Sequence, residues 1–86
     1  MSYQVIFSRG ALKQLNKLPL ELQVRIQTKV DELAIEPRPN GVKKLANDEL
    51  YRIRVGYYRI IYQIQDDILL VNIVKIKHCR EVYRKE

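Results

Sequence analysis

The sequence predicts an α+β fold: an N-terminal strand, a helical hairpin, then a three- to four-stranded antiparallel sheet with a short C-terminal segment. Three observations lead there. Apolar residues recur at helical spacing from Ala11 to Ala34, and they turn strand-like after Asn40-Gly41. Prolines at positions 19, 37 and 39 punctuate the change.

Tyr3-Gln4-Val5-Ile6-Phe7 is short, aromatic and β-branched, and reads as the first strand. Ser8 suits the N-cap of the helix that follows, where Ala11, Leu12, Leu15 and Leu18 share one side. Pro19 blocks its continuation and suits the first turn of another helix. In that second helix Leu22, Ile26, Val30, Leu33 and Ala34 form a stripe, which Pro37 and Pro39 end. These first 36 residues are expected to supply packing, with Arg9, Lys13 and Lys17 as a solvated face. Beyond them, residues 42–46 make a weakly patterned short strand and Leu50 to Val55 alternates well. Tyr58 to Ile64 is rich in aromatic and β-branched residues, and Ile68 to Ile76 is almost continuously apolar. Asp66-Asp67 marks the turn between the last two. The helices must cover one face of the sheet, which leaves the other for function.

A chain of 86 residues has room for one domain, spanning residues 1–86, around one modest core. Its 47% hydrophobic and 30% charged residues argue against disorder. No apolar run approaches the roughly 20 residues of a membrane span. Met1-Ser2-Tyr3-Gln4 lacks the layout of a secretory signal, and the single Cys79 has no internal disulfide partner. A protein of the reducing cytoplasm, without a membrane partner, is expected. The net charge of +6 is uneven: residues 38–86 hold eleven basic and six acidic side chains, against five and four before them. The basic half is either a face for polyanions or ordinary solubility charge.

The most informative stretch runs from Leu50 to Tyr62. Gly56-Tyr57 has the Gly-X form of a two-residue type II′ hairpin turn. Such a turn pairs Val55 with Tyr58 and sets Arg54 opposite Arg59. Side-chain alternation adds Arg52 to the same face and sends Tyr51, Ile53, Ile60 and Tyr62 toward the helices. Like charges placed opposite each other destabilise a sheet by up to roughly 1 kcal/mol. A phosphate ligand would relieve the repulsion, since arginine meets phosphate in a bidentate way. The alternative is that the arginines reach past the sheet edge to Asp48, Glu49 or Glu81.

Lys75, Lys77, His78, Arg80, Tyr83, Arg84 and Lys85 crowd the end of the chain. If the last strand neighbours Tyr58 to Ile64, this cluster and the arginines share one concave face. His78 and Cys79 are the only residues of their kinds, so no zinc site is expected, and no carboxylate grouping suggests magnesium. Nucleotide-binding glycine patterns are absent, and no cofactor is expected. A lone Cys79 is more simply structural than nucleophilic. Metal-free RNA cleavage fits what remains, because there the ribose 2′-hydroxyl is the nucleophile. The protein need only move protons and hold charge on the phosphorane-like transition state, a task that suits arginines. Histidine titrates near neutral pH, and tyrosine can be brought down toward it by neighbouring cations, so His78 and Tyr83 are the candidate proton carriers.

The run Y-R-I-R-V-G-Y-Y-R-I-I-Y, Tyr51 to Tyr62, closely resembles the central hairpin of the RelE/ParE toxin superfamily. P-R-P-N-G-V-K-K-L, Pro37 to Leu45, and H-C-R-E-V-Y-R, His78 to Arg84, resemble its flanking motifs, so the likeness spans essentially the whole chain. It implies the toxin of a type II toxin–antitoxin system. RelE-like members cleave messenger RNA in the ribosomal A site, whereas ParE-like members inhibit DNA gyrase. The closing E-V-Y-R favours the RelE branch. The resemblance gives Arg59 the scissile phosphate, Arg52 and Arg54 the substrate around it, Lys77 or Arg80 a further catalytic cation, and Tyr83 the terminal tyrosine. Lys43, Lys44, Lys75 and Arg84 complete the expected RNA-binding set. Some relatives have lysines where Arg52 and Arg54 stand, one of them acting as base. Arginine does not give up its proton, so that role would pass to His78, Tyr83 or water. A RelB-like antitoxin and a toxin–antitoxin hetero-oligomer are implied as well, with the ribosome and messenger as targets. A ParE-like gyrase inhibitor and a non-catalytic basic RNA-binding module are the alternatives.

Overall fold

The computed structural model of the chain describes residues 2–45 and 50–78. It holds β1 (Gln4–Phe7), α1 (Arg9–Asn16), α2 (Leu20–Ile35), β2 (Lys43–Lys44), β3 (Leu50–Val55), β4 (Tyr58–Gln65) and β5 (Leu70–His78). A single turn of 3₁₀ helix, Asp66–Ile68, separates β4 from β5. The strands form one sheet in the order β1-β5-β4-β3-β2. β2 to β5 are antiparallel neighbours, as expected, and β1 joins the far edge parallel to β5. Among the described residues no helix is long and apolar enough to cross a membrane.

Ser8 caps α1 by accepting from Ala11 N at 3.1 Å. α1 stops at Asn16, before Leu18, and Leu12 stays 46% exposed, so Ala11 and Leu15 alone seal its inner side. In α2 the stripe narrows to Ile26, Val30 and Leu33 as the fully buried residues. These meet Ile53 and Val55 of β3, Ile60, Tyr62 and Ile64 of β4, and Val71, Ile73 and Ile76 of β5 in one core. Both helices therefore lie on one face of the sheet. Each large core side chain contributes about 1.5–3 kcal/mol by leaving water. That outweighs the roughly 1 kcal/mol lost where two like charges face each other across strands.

Two irregularities shape the other face. Gly56 has a φ of +60°, and Tyr57 does not share its left-handed conformation, which is the pattern of the type II′ turn. Between β4 and β5 the register slips: Tyr62 pairs with Ile73 but Ile61 pairs with Lys75, leaving Val74 as the extra residue of a β-bulge. Ser8 stitches this bulge to the start of α1. Its backbone N–H donates to Ile73 O at 2.8 Å and its hydroxyl to Val74 O at 2.8 Å.

The segment between α2 and β2 is pinned at both ends. The fully buried Tyr62 donates its hydroxyl to Pro37 O at 2.7 Å, and its ring stacks on Tyr51 with centroids 5.9 Å apart. Burial pushes the Tyr62 hydroxyl's pKa upward, which keeps it a donor. Farther along, Val42 N donates to Pro39 O at 3.2 Å and Gly41 takes a φ of +90°.

Candidate nucleic-acid interface

Strand register decides which side chains share the face left bare by the helices. Arg54 pairs with Arg59, and Arg59 pairs on its other side with Lys77. One step along the strands, Lys43 pairs with Arg52, Arg52 with Ile61, and Ile61 with Lys75. Paired residues point to the same side of a sheet. The outcome is two adjoining rows, Arg54–Arg59–Lys77 and Lys43–Arg52–Ile61–Lys75, in which Ile61 is the only uncharged member. Neighbours within a row stand roughly 5 Å apart at Cα.

A recess of about 310 Å³ opens on this face, lined by Gly41, Lys43, Arg52, Arg54 and Arg59. The described residues that line it carry no carboxylate. Arg54 is oriented by the turn, its Nε–H donating to Gly56 O at 3.1 Å. Guanidinium groups converging on a concave surface can grip a phosphodiester and steady charge that develops on it. Among the described residues no three His, Cys, Asp or Glu side chains gather in a way that could hold a metal ion.

The structure thus brings together Lys43, Arg52, Arg54, Arg59, Lys75 and Lys77. It does not bring Lys44 or His78 with them. Lys44 pairs with Tyr51, so alternation turns it to the opposite side of the sheet edge. There it lines a separate recess of about 640 Å³ together with Arg38 and Asp66. His78 pairs with Tyr58 and follows the buried Ile76 by two residues, which places it on the helix side. Its ring meets that of Tyr58 edge-on at 4.9 Å, stacks beside Tyr57 at 6.3 Å, and borders a cleft with Gln14 and Leu18. The expected convergence of the last strand with the hairpin is present, but it is carried by Lys75 and Lys77. Cys79, Arg80, Tyr83, Arg84 and Lys85 lie outside the described residues, as do Asp48, Glu49 and Glu81, the acids considered as partners for the arginines.

One network has no counterpart in the sequence reading. Arg38 donates from Nη2 to Asp66 Oδ2 at 2.8 Å, from Nη1 to Asp66 Oδ1 at 3.3 Å, and from Nε to the Tyr51 hydroxyl at 3.2 Å. Tyr3 adds a hydroxyl donated to Asp66 Oδ1 at 2.6 Å. Arg38 first, and then Tyr3, hold the Asp66 carboxyl down at about 2. The Arg38–Asp66 contact spans 28 positions and follows no periodicity. In the sequence Asp66 reads only as part of a turn.

A family model described as the ParE toxin of type II toxin-antitoxin systems, parDE, matches residues 5–83. Toxin RelG of Mycobacterium tuberculosis is 34% identical, over 99% of this chain and 100% of its own length. The mRNA interferase toxin RelE of Escherichia coli is 28% identical, over 96% of this chain and 92% of its own. Among solved structures, the archaeal RelE–RelB complex from Pyrococcus horikoshii contains a chain that superposes with a TM-score of 0.83. That chain is 34% identical, and the match covers 92% of this chain and 97% of that one.

Proposed function

The chain belongs to the RelE/ParE toxin superfamily, in its RelE-like branch, and from that membership we propose that it is a ribosome-dependent endoribonuclease that cleaves messenger RNA in the A site. The observation that carries this reading is the pair of cationic rows, with a carboxylate-free recess among them. Such a surface suits an RNA backbone and has little other use for stability.

In the proposed reaction the 2′-hydroxyl of one nucleotide attacks its own 3′ phosphorus. The O2′–P bond forms as P–O5′ breaks, leaving a 2′,3′-cyclic phosphate and a 5′-hydroxyl. One proton leaves the attacking oxygen and one reaches the departing oxygen. Arg59, at the centre of the first row between Arg54 and Lys77, holds the non-bridging oxygens as negative charge accumulates on them. Arg52, Arg54 and Lys43 seat the strand on either side. The base role does not suit His78, whose ring is engaged on the far side of the sheet. It falls to Tyr83 or a water, with Arg80 and Arg84 as further cations close to it in sequence. A domain this small has few surfaces for reading bases, so the ribosome supplies the positioning. The activity requires the cytoplasm, where ribosomes and messenger meet. A RelB-like antitoxin is the partner in the proposed complex, as in the archaeal relative.

Primer extension on a defined message in a translating extract tests the reading. Cuts are expected with the wild-type protein, reduced about 100-fold or more in Arg59→Ala and Tyr83→Phe. The ParE description of the matching family model favours a second reading, gyrase inhibition by binding alone. Intact message together with blocked gyrase would establish it in place of the first.

A further inference from the structure

The basic surface does not stop at the hairpin turn. On the other side of Gly56 a cleft of about 370 Å³ runs between α2 and the hairpin, bordered by Arg25, Lys29, Glu32, Arg54 and Gly56. Arg54 lines both this cleft and the recess of the bare face, so the two are joined through one side chain. The Arg25 guanidinium lies close over the turn. A Cβ built on Gly56 would stand 3.5 Å from its Nη1, 3.7 Å from its Nη2 and 3.8 Å from its Cζ. Among the described residues bordering the cleft Glu32 is the only acid, and Lys29 Nζ holds it at 3.1 Å. Thr28 spends its hydroxyl on Val24 O at 2.9 Å. Two guanidinium groups from different elements therefore flank a glycine turn, with Tyr57 72% exposed at its tip. Cations interleaved with an exposed aromatic ring match nucleic acid better than a free anion.

We propose that Arg25 and Arg54 form a second phosphodiester subsite, so that bound RNA continues from the recess over the Gly56–Tyr57 turn onto α2. The inference rests on the reading of the recess as an RNA site, and extends it to a helix that the sequence assigns to packing alone. Arg25 lies away from the central row, so its contribution is to binding and not to the chemical step.

The test uses the full chain and a fluorescent single-stranded RNA carrying 2′-O-methyl groups, which cannot undergo 2′-hydroxyl attack. Affinity is measured by anisotropy across a tenfold range of salt for the wild type, Arg25→Ala, Arg59→Ala and Lys13→Ala, with thermal melts confirming that each is folded. Loss of one phosphate contact to a single strand lowers the slope of log affinity against log salt by about 0.7. The deficit of Arg25→Ala should thus shrink about fivefold over that range, while Lys13→Ala, on α1, follows the wild type. A second arm measures sedimentation with purified ribosomes. A deficit there alone would assign the phosphates to ribosomal RNA, and a deficit with the oligonucleotide would assign them to the message. Arg25→Ala matching the wild type in both arms overturns the subsite. Arg59→Ala matching the wild type overturns instead the recess reading beneath it.

Discussion

Asp66 accepts hydrogen bonds from Arg38 and from the Tyr3 hydroxyl, and these donors lower its pKa from 3.8 to about 2. A carboxyl with a depressed folded value favours the folded state above its ordinary pKa and loses that effect as pH falls through the depressed one. The window for Asp66 is therefore about 3.8 down to about 2. Carbon-detected NMR of its carboxyl should show a midpoint near the lower figure, moving up toward the higher one in Arg38→Ala. An unchanged midpoint in that variant would refute Arg38 as the main cause. At this scale the sequence was partly legible. Arg52, Arg54 and Arg59 could be assigned to one face because a Gly-X turn fixes the pairing of the residues beside it. Arg38 and Asp66 could not be paired, since nothing local links positions so far apart.

Within the hairpin, Gly56 sits at a φ of +60°, where a side chain is disfavoured by about 1–2 kcal/mol. The nearest atom to a Cβ there is Arg25 Nη1 at 3.5 Å, an ordinary contact, so strain in the backbone would dominate over any clash. Urea denaturation of Gly56→Ala should show a loss of that size, and an unchanged midpoint would argue against the type II′ turn. The linker before β2 has a similar dependence on distant partners. Tyr62 fixes Pro37, Arg38 reaches Asp66, and only then does the chain deliver Gly41 and Lys43 to the recess. Arg38→Ala should cost at most about 1 kcal/mol of stability, as for an exposed ion pair, yet weaken RNA binding several-fold. That weakening should vanish in a Lys43→Ala background, as a double-mutant cycle would reveal; equal weakening in both backgrounds would rule out the positioning role. The hairpin was readable because its alternation is clean. β2 was harder, since two exposed lysines have no apolar pattern. The side of His78 was hidden by the continuous apolar run before it, which conceals where a bulge falls.

Across the whole molecule the sheet separates two environments, with helices and core on one side and the cationic rows on the other. This division follows from the switch in hydrophobic period along the chain, so the fold class was legible early. The parallel pairing of β1 with β5 was not, because it joins segments 66 positions apart through a four-residue strand. The bulge at Val74 matters to both environments at once. Val71 and Ile73 face the core, and in an unbroken strand every odd-numbered residue after them would do the same, carrying Lys75 and Lys77 inward. The extra residue exchanges odd for even, and the Ser8 hydroxyl occupies the carbonyl that this exchange leaves over. Excising Val74 would remove the extra residue and the bulge together, so that Lys75 follows Ile73 directly and still points outward while Ile76 still points to the core. A deletion variant that melts cooperatively and binds RNA within a few-fold of the parent is the expected result, and loss of the cooperative melt would disprove that Val74 is the residue the strand can spare. The bulge thus absorbs one amino acid without passing on a frameshift in side-chain direction, and the cationic surface keeps its lysines because of it.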